Sequence, residues 1–143
     1  MIKLTEAQID NIAQEVEIGM VCYIHKETGE MVSFPDEMRG NEPEEEFWGE
    51  DMAKVEENYD SYVRVEGMHS SDAYKVMERF AETVEDEALG RRLIRALNRR
   101  GPFQNFKYEI DESGEYRQKW FDFKSQETIN WVKEQLFIDE YEE

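Results

Sequence analysis

The chain has 143 residues and carries 35 Asp and Glu against 17 Lys and Arg, a formal net charge of −18. That length corresponds to a single domain, residues 1–143, able to bury about 68–70% of its unfolded surface. Eight Phe, seven Tyr and three Trp exclude a disordered chain despite 36% charged residues. The acidic balance disfavours duplex nucleic acid as a partner of the surface as a whole.

The opening segment, Met1-Ile2-Lys3-Leu4-Thr5-Glu6, has no apolar signal core. No run approaches the roughly 20 apolar residues of a membrane span, so the reading is a cytoplasmic protein with no membrane partner. Thr5 and Gln8 fit a capping box, in which each side chain satisfies the other's free backbone donor. Ile9, Ile12, Val16 and Met20 follow at helical spacing and predict a helix over residues 6–19, ending near Gly19. Val21 to Ile24 is β-prone. It contains Cys22, the only cysteine, which excludes an intrachain disulfide and a thiolate zinc site and suits a small buried hydrophobe.

Lys26 to Glu30 supplies a turn with Gly29, and Met31 to Phe34 returns as a second strand, with Pro35 closing it. Residues 36–42 have loop chemistry. Pro43 and the three glutamates after it suit the start of a helix over residues 44–59, on which Trp48, Met52, Val55 and Tyr59 form a stripe. Tyr62 to Val65 reads as a third strand, completing a small antiparallel sheet whose open edge is where two copies would pair.

Ser70 or Ser71 caps a third helix with Ala73, Val76, Met77, Phe80 and Val84 inward. A fourth helix over residues 87–99 turns Leu89, Leu93, Ala96 and Leu97 inward and stops at Gly101-Pro102. Phe103, Phe106 and Ile110 predict a short helix before the turn at Glu112-Ser113-Gly114. Residues 116–124 and 126–138 read as helical. The class is α+β: mostly helical, about five to six helices, with a three-strand antiparallel sheet.

The strongest departure from the acidic background is residues 91–119, with eight Lys and Arg against four Asp and Glu. At 100° per residue, Arg91, Arg92, Arg95 and Arg99 share about 100° of arc opposite the leucines. Such a stripe suits carboxylate or phosphate, because guanidinium forks match those oxyanions. The competing reading is neutralisation by Glu85, Asp86 and Glu87, one or two turns earlier. Arg100, at the helix end, would cap carbonyls. Phe103, Phe106, Trp120, Phe121, Phe123 and Trp131 first build a core, with Phe121 or Trp131 left for a partner.

Other constellations carry less. Glu66-Gly67-Met68-His69 has the spacing of a di-iron ligand pair, but such sites need two copies and two further glutamates on long helices. His25 reads as a solvent-facing strand residue, and neither it nor His69 has a cysteine or histidine partner nearby in sequence. Glu46 and Glu50 share a helix face, as a solvated acidic face does. Calcium-loop, phosphate-loop, nucleophile-elbow and His-Glu-x-x-His patterns are absent from the sequence. No catalytic residue, metal ligand or cofactor is assigned.

The segments Thr28-Gly29-Glu30, Met77-Glu78-Arg79-Phe80, Leu93-Ile94-Arg95-Ala96-Leu97, Arg100 to Lys107, Trp120-Phe121-Asp122-Phe123 and Trp131 resemble Uncharacterised Protein Family 0158, a group of small acidic bacterial proteins. Pro102 stands where that resemblance leads one to expect a small residue. The resemblance implies domain limits and a bacterial cytoplasmic setting, and it brings no catalytic or binding residue. The expectation is therefore a non-enzymatic interaction or regulatory domain whose macromolecular partner is a protein ahead of a nucleic acid. Two alternatives stay open: nucleic-acid binding through the arginine stripe, and an enzyme pairing His25 or His69 with acids of residues 42–60.

Overall fold

The computed structural model describes residues 3–36 and 45–141, with side chains for 3–36 and 48–136. Over these it is an α+β protein of six α-helices and a three-stranded antiparallel sheet. The expected loop at 36–42, Pro43 as a first-turn residue and the Glu46 side chain lie outside the described residues, apart from Asp36. Two compact units form, Met1–Gly67 with Thr128–Glu143, and Met68–Glu127.

In the first unit, helix α1 spans Glu6–Glu17 and opens with the expected capping box. The Gln8 amide N–H donates to Thr5 Oγ1 at 3.1 Å, and the Thr5 N–H donates to Gln8 Oε1 at 2.8 Å. Gly19, at φ +92°, turns the chain into strand β1, Met20–His25. β1 lies between β2, Met31–Pro35, and β3, Tyr62–Val65, antiparallel to both. The β1–β2 turn places Gly29 at φ +75°, where an added Cβ would also sit 3.1 Å from Leu4 Cδ2. The conformation favours glycine there, and an added Cβ would also press on the Leu4 methyl.

His25 is the strand residue expected, at the end of β1 and half-exposed, and its ring is engaged as well. Its Nδ1 accepts from the N–H groups of Glu27 at 3.1 Å and Thr28 at 3.2 Å, and its ring meets Tyr62 edge-on. Accepting on Nδ1 fixes the tautomer, with any proton on Nε2.

Alternation along β1 sends successive side chains to opposite faces of the sheet. Cys22 and Ile24 join Val63 and Val65 under α1 residues Ile12, Ala13 and Val16 and under Val132. Val21 joins Val32, Phe34 and Tyr62 under Val55 of helix α2, Glu45–Glu57, with Trp48 and Met52 packed alongside. Tyr59, expected in the α2 stripe, lies beyond that helix in a 3-10 turn, Tyr59–Ser61, and is 60% exposed. The helix has ended before its phase can turn Tyr59 inward.

In the second unit, α3 spans Ser70–Thr83, with His69 rather than either serine at the N-cap. Helix α4, Glu87–Leu97, is capped by Asp86, whose carboxylate accepts from the Leu89 N–H at 3.1 Å. Helix α5, Pro102–Asp111, uses Pro102 in its first turn, so the residue expected to stop one helix also starts the next. Phe80, Phe106, Trp120 and Phe123 form an aromatic knot, with the Phe106 and Trp120 rings 4.9 Å apart.

Residues 116–124 and 126–138, read as helical, lie in one continuous helix, α6, Tyr116–Tyr141. Ser125 does not interrupt it, because serine in a helix interior costs only about half a kcal/mol relative to alanine. Up to Glu127 the helix belongs to the second unit, where Arg79 grips Glu127 through two hydrogen bonds of 3.1 Å. From Thr128 it belongs to the first unit, where Trp131 Nε1 and Gln135 Nε2 donate to the Glu66 carbonyl at 2.8 and 2.9 Å. Gln135 Oε1 also accepts from the Glu66 N–H at 3.0 Å, so one amide side chain pairs with the end of β3 as a neighbouring strand would. Among the described residues no helix is long and apolar enough to cross a membrane.

Candidate functional site

The basic segment folds as α4, a turn and α5, and the four candidate arginines do not remain one stripe. Arg91, Arg92 and Arg95 lie on α4, whereas Arg99 lies past its end. The Asn98 N–H bonds back to Ile94 and Arg95 carbonyls at 3.2 Å, and its side-chain amide bonds to Ile94 at 3.0 Å. These bonds use the last carbonyls and close the helix at Leu97. Arg99 therefore leaves the arc that an uninterrupted helix would have given it. Arg100 is exposed in the same turn and its own carbonyl is held by Asn105 Nδ2 at 3.0 Å, so its guanidinium is not the cap expected.

Neutralisation reaches one of the four. Arg92 Nε lies 3.3 Å from Glu109 Oε2 on α5, a partner other than Glu85, Asp86 or Glu87. Asp86 is occupied as the N-cap. Among the described residues, Arg91, Arg95 and Arg99 make no ion pair and are exposed.

Arg91 and Arg95 border an open groove of about 640 Å³ between α4 and the C-terminal end of α3. Gly90 and Ala81 line it, Ile94 is 39% exposed within it, and Glu82 and Glu87 balance the two arginines. A Cβ on Gly90 would lie 3.7 Å from the Ala81 carbonyl, an ordinary contact, so this glycine opens the groove without being forced by packing. The arrangement offers two guanidiniums, two carboxylates and an aliphatic contact. A smaller hollow of about 250 Å³, between Phe80, Val84, Tyr116, Lys119 and Phe123, opens elsewhere in the unit, with Lys119 Nζ over the Tyr116 ring.

A further signal is readable in the sequence once the α4–α5 hairpin is in view. From Ala88 to Tyr108 there is no Asp or Glu, while six bases occur: Arg91, Arg92, Arg95, Arg99, Arg100 and Lys107. A count of net charge over 91–119 blurs that run by including Glu109, Asp111, Glu112 and Glu115. On α5, Phe106 and Ile110 point inward, leaving Phe103 44% and Tyr108 65% exposed.

Trp131 is half-buried and anchors β3 through its N–H, whereas Phe121 is 38% exposed under the Arg117 guanidinium, 4.8 Å from its centroid. Glu66 receives Arg64 Nη1 at 2.7 Å, and Arg64 Nη2 is 3.9 Å from buried Asp36. Burial works against the Arg64 charge, but bonds to Glu66 and Tyr23 outweigh it and raise its pKa. His69 sits at the start of α3, and among the described residues no three His, Cys, Asp or Glu are grouped to hold a metal ion.

A family model described as an uncharacterised protein family, UPF0158, matches residues 4–143, and the chain belongs to that family. No curated protein and no solved structure matches it.

Proposed function

We propose that this member of UPF0158 is a non-enzymatic interaction domain of the bacterial cytoplasm whose α3–α4 groove docks an acidic segment of a protein partner. The observation that carries the reading is that Arg91 and Arg95 stay exposed without a carboxylate partner among the described residues, flanking exposed Ile94, in a chain of net charge −18. Beside Glu82 and Glu87 the two guanidiniums make no direct ion pair among the described residues, which leaves their donors open to further carboxylates. Partner carboxylates would take the two guanidiniums, and an aliphatic side chain between them would cover Ile94. Glu82 and Glu87 would select against purely anionic partners and give the contact a register.

His25 is a poor base for the enzyme alternative, because its Nδ1 is committed to the β1–β2 turn as an acceptor, which leaves His69 as that alternative's histidine. Pairing of two copies along β2 is not part of the reading either. His25 and Asp36 bond to their partners across the ladder, and alternation then turns the Pro35 nitrogen outward, where it offers no donor. The test is affinity enrichment with tagged wild type and the Arg91→Ala/Arg95→Ala variant, at low and high salt after nuclease treatment. A protein should be enriched by wild type at low salt and lost in both the variant and high salt. Recovery of the same proteins by both chains at both salts would remove the reading.

A further inference from the structure

We infer that the outer face of α5, with the turn before it, binds single-stranded nucleic acid. This goes beyond the reading above and rests on different residues: Arg99, Arg100, Phe103, Gln104, Lys107 and Tyr108. Single strands are held by two features together, unneutralised cations that follow the phosphates and exposed aromatic faces on which bases stack. Both occur here. Arg99, Arg100 and Lys107 are exposed and make no ion pair among the described residues. Phe103 and Tyr108, 44% and 65% exposed, make no ring or cation contact there either. Phe121 is the contrast, because Arg117 already covers its face.

The elements bring these groups together. At 100° per residue, Phe103, Lys107, Gln104 and Tyr108 span about 140° of one side of α5. Asp111 falls inside that arc, but it is engaged by Arg117 Nε at 3.2 Å. Glu109 points away to Arg92. Asn105 Nδ2 donates to the Arg100 carbonyl at 3.0 Å and lies 3.5 Å from that of Ala96, which pins the turn carrying Arg99 and Arg100 to the start of α5. Duplex is the poorer fit, because its bases are stacked out of reach of the two rings and its denser phosphates meet the repulsion of a −18 chain.

The test is fluorescence anisotropy of labelled single-stranded RNA and DNA of about 12 nucleotides, with the matching duplex and a polyglutamate peptide as comparisons. Both single strands should bind more tightly than duplex. With three phosphate contacts, affinity should fall roughly 20-fold between about 50 and 200 mM salt. Tyr108→Ala should weaken binding roughly 5- to 100-fold, while Tyr108→Phe keeps it, because the stacking face is retained. Lys107→Gln should flatten the salt dependence by about one phosphate's share. Arg91→Ala/Arg95→Ala should leave the affinity unchanged. Tyr108 and Lys107 are exposed, and thermal melts would verify that their variants fold. Several outcomes would overturn the inference: no salt-dependent binding of single strands, duplex held as tightly, Tyr108→Ala binding like wild type, or polyglutamate bound in place of the oligonucleotides. The last would leave a protein-binding reading standing.

Discussion

Cys22 is enclosed in the core, and burial pushes its thiol up to about 12, with the Glu15 carboxylate adding to the shift. The thiolate, not the thiol, is the nucleophile, so the folded chain should be inert to alkylation. Iodoacetamide at about pH 8, near the free thiol's ordinary pKa, should leave Cys22 unmodified in buffer and modify it in denaturing urea. Labelling at equal rates in both would show that the sheet opens without global unfolding. The sign for stability follows: the folded pKa lies above the unfolded one, so stability is whole below about pH 8.5 and is lost as pH rises toward 12. An opposite case is Glu30, whose carboxyl is held down by the hydrogen bond from Lys54. Its contribution is present above the ordinary carboxylate range and is lost as pH falls through its lowered value. Both partners are highly exposed, and the pair is screened by water and salt.

At the scale of elements, the α4–α5 hairpin depends on Asn105, whose side-chain amide reaches two carbonyls of the segment before it. Asn105→Ala frees both and should cost about 1 kcal/mol in a urea denaturation, as typical neutral hydrogen bonds do. An unchanged midpoint would mean that Gly101 at φ +75° and Pro102 set the turn alone. Features decided within one or two turns of chain were readable in advance. The Thr5–Gln8 box, Gly29 in the hairpin and the leucine face of α4 all follow from spacing. What could not be read was decided by distant partners. The Arg92–Glu109 pair, and Gln135 standing in as a strand for Glu66, leave no local pattern. The unity of α6 was hidden for another reason. Tyr116, Trp120 and Phe123 serve the core of the second unit and Ile129, Val132 and Leu136 that of the first, so no single stripe runs in phase along the helix. Arg99 shows the same limit, since a side-chain bond by Asn98 ended the helix two residues before the arginine repeat did.

For the whole molecule, a net charge of −18 sets self-repulsion against a modest set of surface ion pairs, and added salt weakens both. Lys54–Glu30, Arg79–Glu127 and Arg117–Asp111 have at least one half-exposed partner each. Exposed pairs contribute little and lose only part of that on screening. Repulsion is spread over all the unmatched acids, many of them farther apart than the roughly 10 Å screening length at 0.1 M salt, so it loses a larger share. Repulsion should therefore dominate, and the chain should be stabilised by simple salt. Raising sodium chloride from about 10 to 200 mM shortens the screening length from about 30 Å to under 10 Å. Each kcal/mol gained would raise the calorimetric melting temperature by about 2–4 °C for a chain of this size. Chloride and sulfate at equal ionic strength should act alike if screening is the cause, whereas a larger effect of sulfate would point to strengthened apolar burial instead. A fall in melting temperature on adding sodium chloride would mean that the ion pairs outweigh the net charge, and that the acids are better matched in the folded chain than the excess of 35 over 17 suggests.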